Sequence, residues 1–339
     1  MRLVIYRLGS LGDTMVALPA LRVVARAWPD AERIVFTNHP PANGAAMATV
    51  LAGSGLAHRF MEYQPGERRP LALWRLGRSL ALLGADRLIY LTEPRGGLAV
   101  WRDLAFFRGC GFRHIIGAPV TADLRCHRRL SEGGLWESEA ARLARCLAPL
   151  GPAGLDRPEN WAPVLSAAEQ AEAERLLTAW PVPAAGFLVL APGLRQPAKD
   201  WGGENLAALV GRLQTAFPTL GLVLVGGDGD RERVRRLVLG CRGPVFQRCG
   251  ADLRTTMALI ARARLLVGTD GGPMHVAAGL GVPVVALFGL AERPGVWFPA
   301  GRGHSLLYRS RLADTVVDAV FEACARQLSA PGTASLGER

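Results

Sequence analysis

Apolar residues gather into short runs that alternate with longer stretches of helical periodicity. "RLVIYR" (2–7) reads as a strand, a Gly-rich loop "LGSLGD" follows, and "TMVALPALRVVARAWP" (14–29) reads as a helix. "RIVFT" (33–37), "RLIYLTE" (87–93) and "FRHIIGA" (112–118) continue as strands, and 71–84 and 135–150 as helices. A Pro- and Gly-rich segment, 151–165, interrupts the pattern as a linker. After one more helix come strand "FLVLAP" (187–192), helix 203–217, strand "GLVLVGG" (221–227) and helix 231–240. Strand "ARLLVG" (263–268), helix 273–281 and strand "VPVVALFG" (282–289) follow. Strands separated by helices of this length predict α/β architecture: two doubly wound domains with parallel sheets and right-handed crossovers. The boundaries expected are 1–155 and 156–327, with a polar tail over 328–339. Ligands of such sheets bind at the carboxyl ends of the strands.

The length of 339 residues agrees with two domains, and 50% apolar content supplies two cores. No apolar run approaches the roughly 18 residues a membrane span needs, and the N-terminus lacks a signal-peptide pattern, so a cytoplasmic protein is expected. The six cysteines form no C-x-x-C pair and have no His cluster beside them, which favours free thiols over a zinc site. Net charge is +11, unevenly spread: residues 59–129 hold 13 Arg against 6 acidic residues. Aromatic residues are sparse there and no nucleic-acid motif appears, so nucleic acid is not an expected partner. An anionic lipid or phosphorylated acceptor suits that segment, as does an Arg-rich surface without function.

Candidate chemistry lies at strand ends. In "RLGSLGDTM", Asp13 follows the first strand, where a carboxylate serves as a helix N-cap or as a general base. The loop is neither G-x-G-x-x-G nor a Walker loop. In "APGLRQPAKDWGG", the strand ends at Pro192-Gly193 and a loop carries Arg195 and Lys199. Only one of the 40 basic residues is a lysine, and a compact ammonium at a strand end fits a phosphate as a point charge. In "LLVGTDGGPMHVAAG", Gly271 and Gly272 let backbone N–H groups approach an anion at a helix N-terminus. Asp270 is placed to orient sugar hydroxyls, and Met274 and His275 fall in the first turn, where a thioether packs on a nucleobase or in a core. Asp228-x-Asp230 reads as a metal pair, a helix cap or a ribose acceptor.

Together these loops resemble the heptosyltransferase family of glycosyltransferases, family 9. The resemblance rests on "RLVIYRLGSLGDTMVALPALRVVARAWPDAE", "PAKDW" and "TDGGPMHVAAGLGVPVVALFG", three motifs in the family's order. It implies a GT-B fold, two Rossmann-like domains facing a central cleft, the first for the acceptor and the second for the nucleotide sugar. It implies inverting transfer from a nucleoside-diphosphate sugar, commonly ADP-heptose, to a lipopolysaccharide core or other glycan, with no cofactor or metal required. By resemblance Asp13 is the acceptor's base, with Arg7, Ser10 and Gly12 on the acceptor side, and Lys199 neutralises the departing diphosphate. Gly193, Asp230, Asp270, Gly271, Gly272, Met274 and His275 belong to the donor site. The sequence departs from the family where Gly271 replaces Thr and Asp230 replaces Glu. An anionic glycolipid acceptor implies a peripheral place on the cytoplasmic face of the inner membrane. A family member with another nucleotide sugar, an epimerase, and a non-catalytic nucleotide-sugar-binding protein are the alternatives.

Overall fold

A computed structural model describes residues 1–39, 46–130, 134–180, 182–183, 185–193, 197–241, 243, 245–289 and 293–329. They form two compact units, Met1–Trp161 with Pro294–Val296, and Ala162–Arg293 with Trp297 onward. The division falls inside the 151–165 segment. Residues 330–339 of the expected tail lie outside the described residues. Among the described residues, no helix is long and apolar enough to cross a membrane.

The first unit runs β1 (Arg2–Tyr6), α1 (Leu11–Ala27), β2 (Glu32–Asn38), α2 (Met47–Leu51), β3 (Arg59–Tyr63), α3 (Pro70–Ala81), β4 (Arg87–Tyr90), α4 (Gly97–Gly109), β5 (His114–Ile116), α5 (Ala122–Arg125) and α6 (Glu139–Cys146). Its parallel sheet has the order β3-β2-β1-β4-β5, with Val4 in register between Ile34 and Leu88. The order reverses between β1 and β4. Right-handed crossovers therefore put α1 and α2 on one face of the sheet and α3 and α4 on the other. Under α3 and α4 lies an aromatic core, in which Tyr6 packs on Phe107 and Tyr90 at ring centroid separations of 5.0 and 5.4 Å.

Pro294–Val296 returns to this unit after most of the second has been formed. The Trp136 N–H donates to Pro294 O at 2.7 Å and the Glu139 N–H to Val296 O at 3.0 Å, so the returning segment satisfies an orphan donor at the start of α6. Gly295, at φ +100°, is held so close that a Cβ would sit 2.3 Å from Trp136 O.

The second unit runs α7 (Ala167–Ala179), β6 (Phe187–Ala191), α8 (Gly203–Ala216), β7 (Gly221–Gly226), α9 (Arg231–Leu239), β8 (Val245–Cys249), α10 (Leu253–Ile260), β9 (Leu265–Thr269), α11 (Gly272–Gly279), β10 (Val284–Phe288), β11 (Ser305–Tyr308) and α12 (Val317–Ser329). Its sheet is also parallel, in the order β11-β10-β9-β6-β7-β8, and reverses between β6 and β9. β6, β9 and β10 are buried at every position. Such strands show as continuous apolar runs in sequence.

The expected alternation omitted β3, β8, β11, α2, α4, α5, α10 and α12. The three strands are partly exposed, with Arg, Glu or Gln breaking the run in β3 and β8, and they lie at the ends of their sheets. Helix α1 begins at Leu11, three residues earlier than expected, which makes Asp13 the third helical residue rather than the cap; Ser10 is the N-cap.

Candidate active site

In an open parallel sheet, the loops after the two strands that flank the reversal point diverge and leave a crevice. Each unit puts a charged pair across that position.

In the first unit, Arg7 leaves β1 with its side chain fully buried and donates to Leu91 O (2.9 Å) and Asp13 O (2.7 Å). Gly9, at φ +137°, gives the turn into α1, where a Cβ would lie 2.2 Å from Asp13 Cβ. Only glycine lets the Asp13 side chain fold back over the loop. Its Oδ2 accepts from the Ser10 N–H at 2.6 Å and the Ser10 hydroxyl at 3.0 Å, while Oδ1 stands 3.8 Å from the Arg7 guanidinium. Gly12, the second residue of α1, is buried. Thus Arg7, Ser10 and Asp13 are brought together.

Beyond the end of β4 is Glu93, which sequence reasoning did not single out. Its titration is linked to that of Asp13, the interaction between the two carboxyls raising Glu93 and lowering Asp13. Glu93 is an exposed residue. Desolvation, with the hydrogen bond and negative charge of Asp13, pushes Glu93 up to about 7. Asp13 goes the other way: burial opposes its ionisation, but the Arg7 charge and the donors Glu93 and Ser10 prevail and hold it below the usual carboxylate range. Below about pH 7 Asp13 is therefore a carboxylate beside a Glu93 that keeps its proton.

Arg7 also reaches Glu139, at the start of α6, at 3.8 Å. The Glu139 carboxylate is fully buried, gripped in a bidentate pair by Arg142 (2.7 Å on each oxygen) and touched by His127 Nε2 at 2.9 Å. Arg142 in turn donates to Thr92 O at 2.6 Å, one residue before Glu93. Two buried guanidiniums therefore face the carboxylates of Asp13 and Glu139. An ionised Glu93 would add a further negative charge beside these two carboxylates, which opposes its ionisation. The signal in the sequence was weak, because these residues lie far apart along the chain.

A pH dependence follows. Glu93 binds its proton more tightly in the folded protein than at its ordinary 4.5, so its contribution to stability is complete below that value and is lost as pH rises toward about 7. Thermal midpoints measured from pH 4.5 to 8 are expected to show this falling component in the native protein and not in Glu93→Gln. Parallel curves for the two would exclude the raised Glu93 titration.

In the second unit, the β6 chain turns at Gly193 (φ +61°), where a Cβ would lie 2.2 Å from Thr269 Oγ1. Arg195 lies outside the described residues. Lys199 ends a short 3-10 turn, and its Nζ donates to Asp270 Oδ2 at 2.5 Å. Asp270 follows β9 and is nearly buried, with Oδ1 4.0 Å from His275 Nε2. The rest of the "KDW" stretch anchors this turn. Asp200 makes a bidentate pair with Arg233 (2.6 and 2.7 Å), and the buried Trp201 donates to Thr315 O at 2.8 Å. Gly271 is the N-cap of α11 and Gly272 its first residue, so the N–H groups of this helix end start beside the Lys199–Asp270 pair.

Met274 has no exposed surface. Its thioether belongs to the core, the other of the two roles open for it, and a base could not touch it in this conformation. Asp230 lies beyond β7, its Oδ2 accepting from the Gly227 N–H at 2.7 Å, and Asp228 pairs with Arg231 at 2.8 Å. Both carboxylates of the Asp228-x-Asp230 pair are thus engaged in local contacts. Among the described residues, no group of three or more His, Cys, Asp or Glu is placed to hold a metal ion. A cavity of about 540 Å³ lies between α8 and α9, lined by Pro192, Leu206, Gly229, Arg233 and Leu237 among others. Its volume is in the range of small-ligand sites.

Comparison with known proteins agrees with this layout. The family model for glycosyltransferase family 9 (heptosyltransferase) matches residues 136–307. Lipopolysaccharide heptosyltransferase 3 of Escherichia coli is 27% identical over 108 residues, a match that spans 31% of this chain and 32% of that protein. The curated relatives are therefore matched over about a third of their length. Among solved structures, the glycosyl transferase family 9 protein of Veillonella parvula superposes with a TM-score of 0.74 at 19% identity, over 96% of this chain and 97% of that one. E. coli ADP-heptose lps heptosyltransferase II superposes with a TM-score of 0.70 at 21% identity, over 97% and 98% of the two chains. These likenesses establish the GT-B fold, two parallel-sheet α/β units. With about half of its length matched by the family model, and with that fold throughout, the chain belongs to glycosyltransferase family 9.

Proposed function

We propose that the protein is an inverting glycosyltransferase that moves a heptose or related sugar from an ADP-linked donor to a lipopolysaccharide core or similar glycan. The observation that carries this reading is the Lys199–Asp270 pair beside the N-terminus of α11, at the reversal point of the second sheet. An ammonium and a helix N-terminus together suit a diphosphate, and a carboxylate suits sugar hydroxyls. The cavity that begins at Pro192 and reaches Gly229 has room for the base and ribose, and Asp230 is close in sequence to its rim. The names of the E. coli relatives support heptose, ADP and a lipopolysaccharide acceptor.

In the first unit, Asp13 acts as general base. It is ionised near neutrality and takes the proton of the acceptor hydroxyl as that oxygen attacks the anomeric carbon. The bond to the diphosphate breaks on the opposite face, and Lys199 with the α11 amides stabilises the charge that develops on the leaving group. No step in this scheme needs a metal.

The test is a thermal-shift panel of ADP, GDP, UDP and their sugars. ADP and ADP-sugars are expected to raise the midpoint most, because ligand bound only to the folded state stabilises it. A larger rise with UDP or GDP would reassign the donor. Conversion of the donor to its epimer without an acceptor would replace transfer with epimerisation.

A further inference from the structure

Helices α3 and α4 carry the same short motif, "LALWR" at 71–75 and "LAVWR" at 98–102. A helix that covers a sheet normally turns its large apolar residues inward. Here the Leu and Trp of the motif's first and fourth positions point out on both. Leu71 and Trp74 are 59% and 58% exposed, and Leu98 and Trp101 are 90% and 59% exposed. Arginines share these outward faces, Arg75 and Arg78 on α3 and Arg102 and Arg108 on α4. The two helices lie on the same side of the first sheet and approach each other where a Cβ on Gly77 would meet Cys110 Sγ at 3.4 Å and Phe106 at 3.8 Å. Their outward faces therefore form one surface.

The charge on that surface is of one sign. α3 contains no acidic residue, and the only one in α4, Asp103, is nearly buried, accepting from Tyr90 at 2.8 Å and pairing with Arg95 at 2.8 Å and with Arg102 at 2.9 Å. Among the described residues, Arg75, Arg78 and Arg108 are therefore the arginines of this surface that no carboxylate offsets. Arg78 stacks on the Trp74 ring at 5.5 Å, which leaves its charge on the surface. Among the described residues, neither Arg75 nor Arg78 makes an ion pair.

We propose that the outward faces of α3 and α4 dock on an anionic lipid bilayer, with Trp74, Trp101, Leu71 and Leu98 entering the headgroup boundary and the arginines facing lipid phosphates. Tryptophan favours this boundary, and a helix face that interleaves Trp and Leu with Arg has the composition of a surface-lying helix. A second copy of the chain fits worse, since a two-fold contact through this face would set the arginine rows against each other.

Flotation with vesicles tests this without any sugar donor, so its outcome is separate from that of the proposed reaction. The probes are vesicles of phosphatidylcholine alone and vesicles with about a third phosphatidylglycerol, the anionic lipid that attracts basic surfaces. The protein is expected to float with the anionic vesicles only, and less as salt is raised. Trp74→Ala/Trp101→Ala should bind about ten-fold more weakly or worse. Arg75→Glu/Arg78→Glu should lose at least about five-fold per arginine. These sites are exposed, so thermal midpoints should stay near that of the native protein. Absence of flotation, or variants that float like the native chain, would overturn the proposal. So would a concentration-dependent dimer in sedimentation that the tryptophan variant abolishes, because it would assign the face to a second copy.

Discussion

Asp13→Asn is expected to lower kcat by roughly a thousand-fold, the middle of the range for loss of a general base. Binding of the nucleotide sugar should stay within a few-fold of native. The substitution isolates basicity, because Asn keeps a carbonyl oxygen that can accept from the Ser10 N–H now bonded at 2.6 Å. The start of α1 should therefore survive, and the Arg7 contacts to Asp13 O and Leu91 O do not involve the carboxylate. What is lost is the anion that Arg7 and Glu93 keep available below the usual carboxylate range. Removing its charge also removes one cause of the raised Glu93 titration, so the Glu93 carboxyl should ionise at lower pH in this variant. The measurement is nucleoside diphosphate released under saturating donor and acceptor, beside donor affinity by calorimetry. A variant that keeps more than about a tenth of native kcat would make Asp13 a helix-end residue and no base.

Much of this was legible in the chain because buried parallel strands write themselves as apolar runs. β1, β6, β9 and β10 could be read off directly, and with them the segments just after β1, β6 and β9 that hold Asp13, Lys199 and Asp270. Outer strands could not, since β8 (VFQRC) is half exposed and its polar residues break the run. The N-terminus of α1 was misplaced although "SLGD" carries the Ser-x-x-Asp spacing of a capped helix start, because Gly9 and Gly12 argue for a loop. Local pattern also does not determine which side chains meet. Glu93 reaches Asp13, and Arg142 reaches both Glu139 and Thr92 O, through a register that pairs β1 with β4 and through the packing of α6. Met274 shows the converse: its place in a motif suggested ligand contact, and its burial makes it core.

The second large effect is expected at Lys199. Lys199→Ala should lower kcat by about a hundred- to a thousand-fold, as for loss of one group that stabilises developing charge. The cost to folding should be about 1–3 kcal/mol, because the ammonium is partly exposed but the carboxylate it leaves is nearly buried. The kinetic loss is larger than that contact suggests, since the nearly buried Asp270 carboxylate would lose its ammonium partner beside a diphosphate that gains charge as it departs. Lys199→Arg is the more informative variant. Arginine is the chain's general cation, and a guanidinium keeps the charge at this position. However, its planar fork would close on Asp270 in a bidentate pair, as Arg233 does on Asp200 and Arg142 on Glu139. A cation locked in that way cannot follow the leaving phosphate, whereas an ammonium that shares one oxygen with Asp270 can turn to it. The expected result is a kcat about ten-fold below native, with donor KM changed less, since the interaction strengthens only as the bond breaks. Native kcat in Lys199→Arg would mean that any positive charge suffices, and the single lysine would then have no chemical reason to be one.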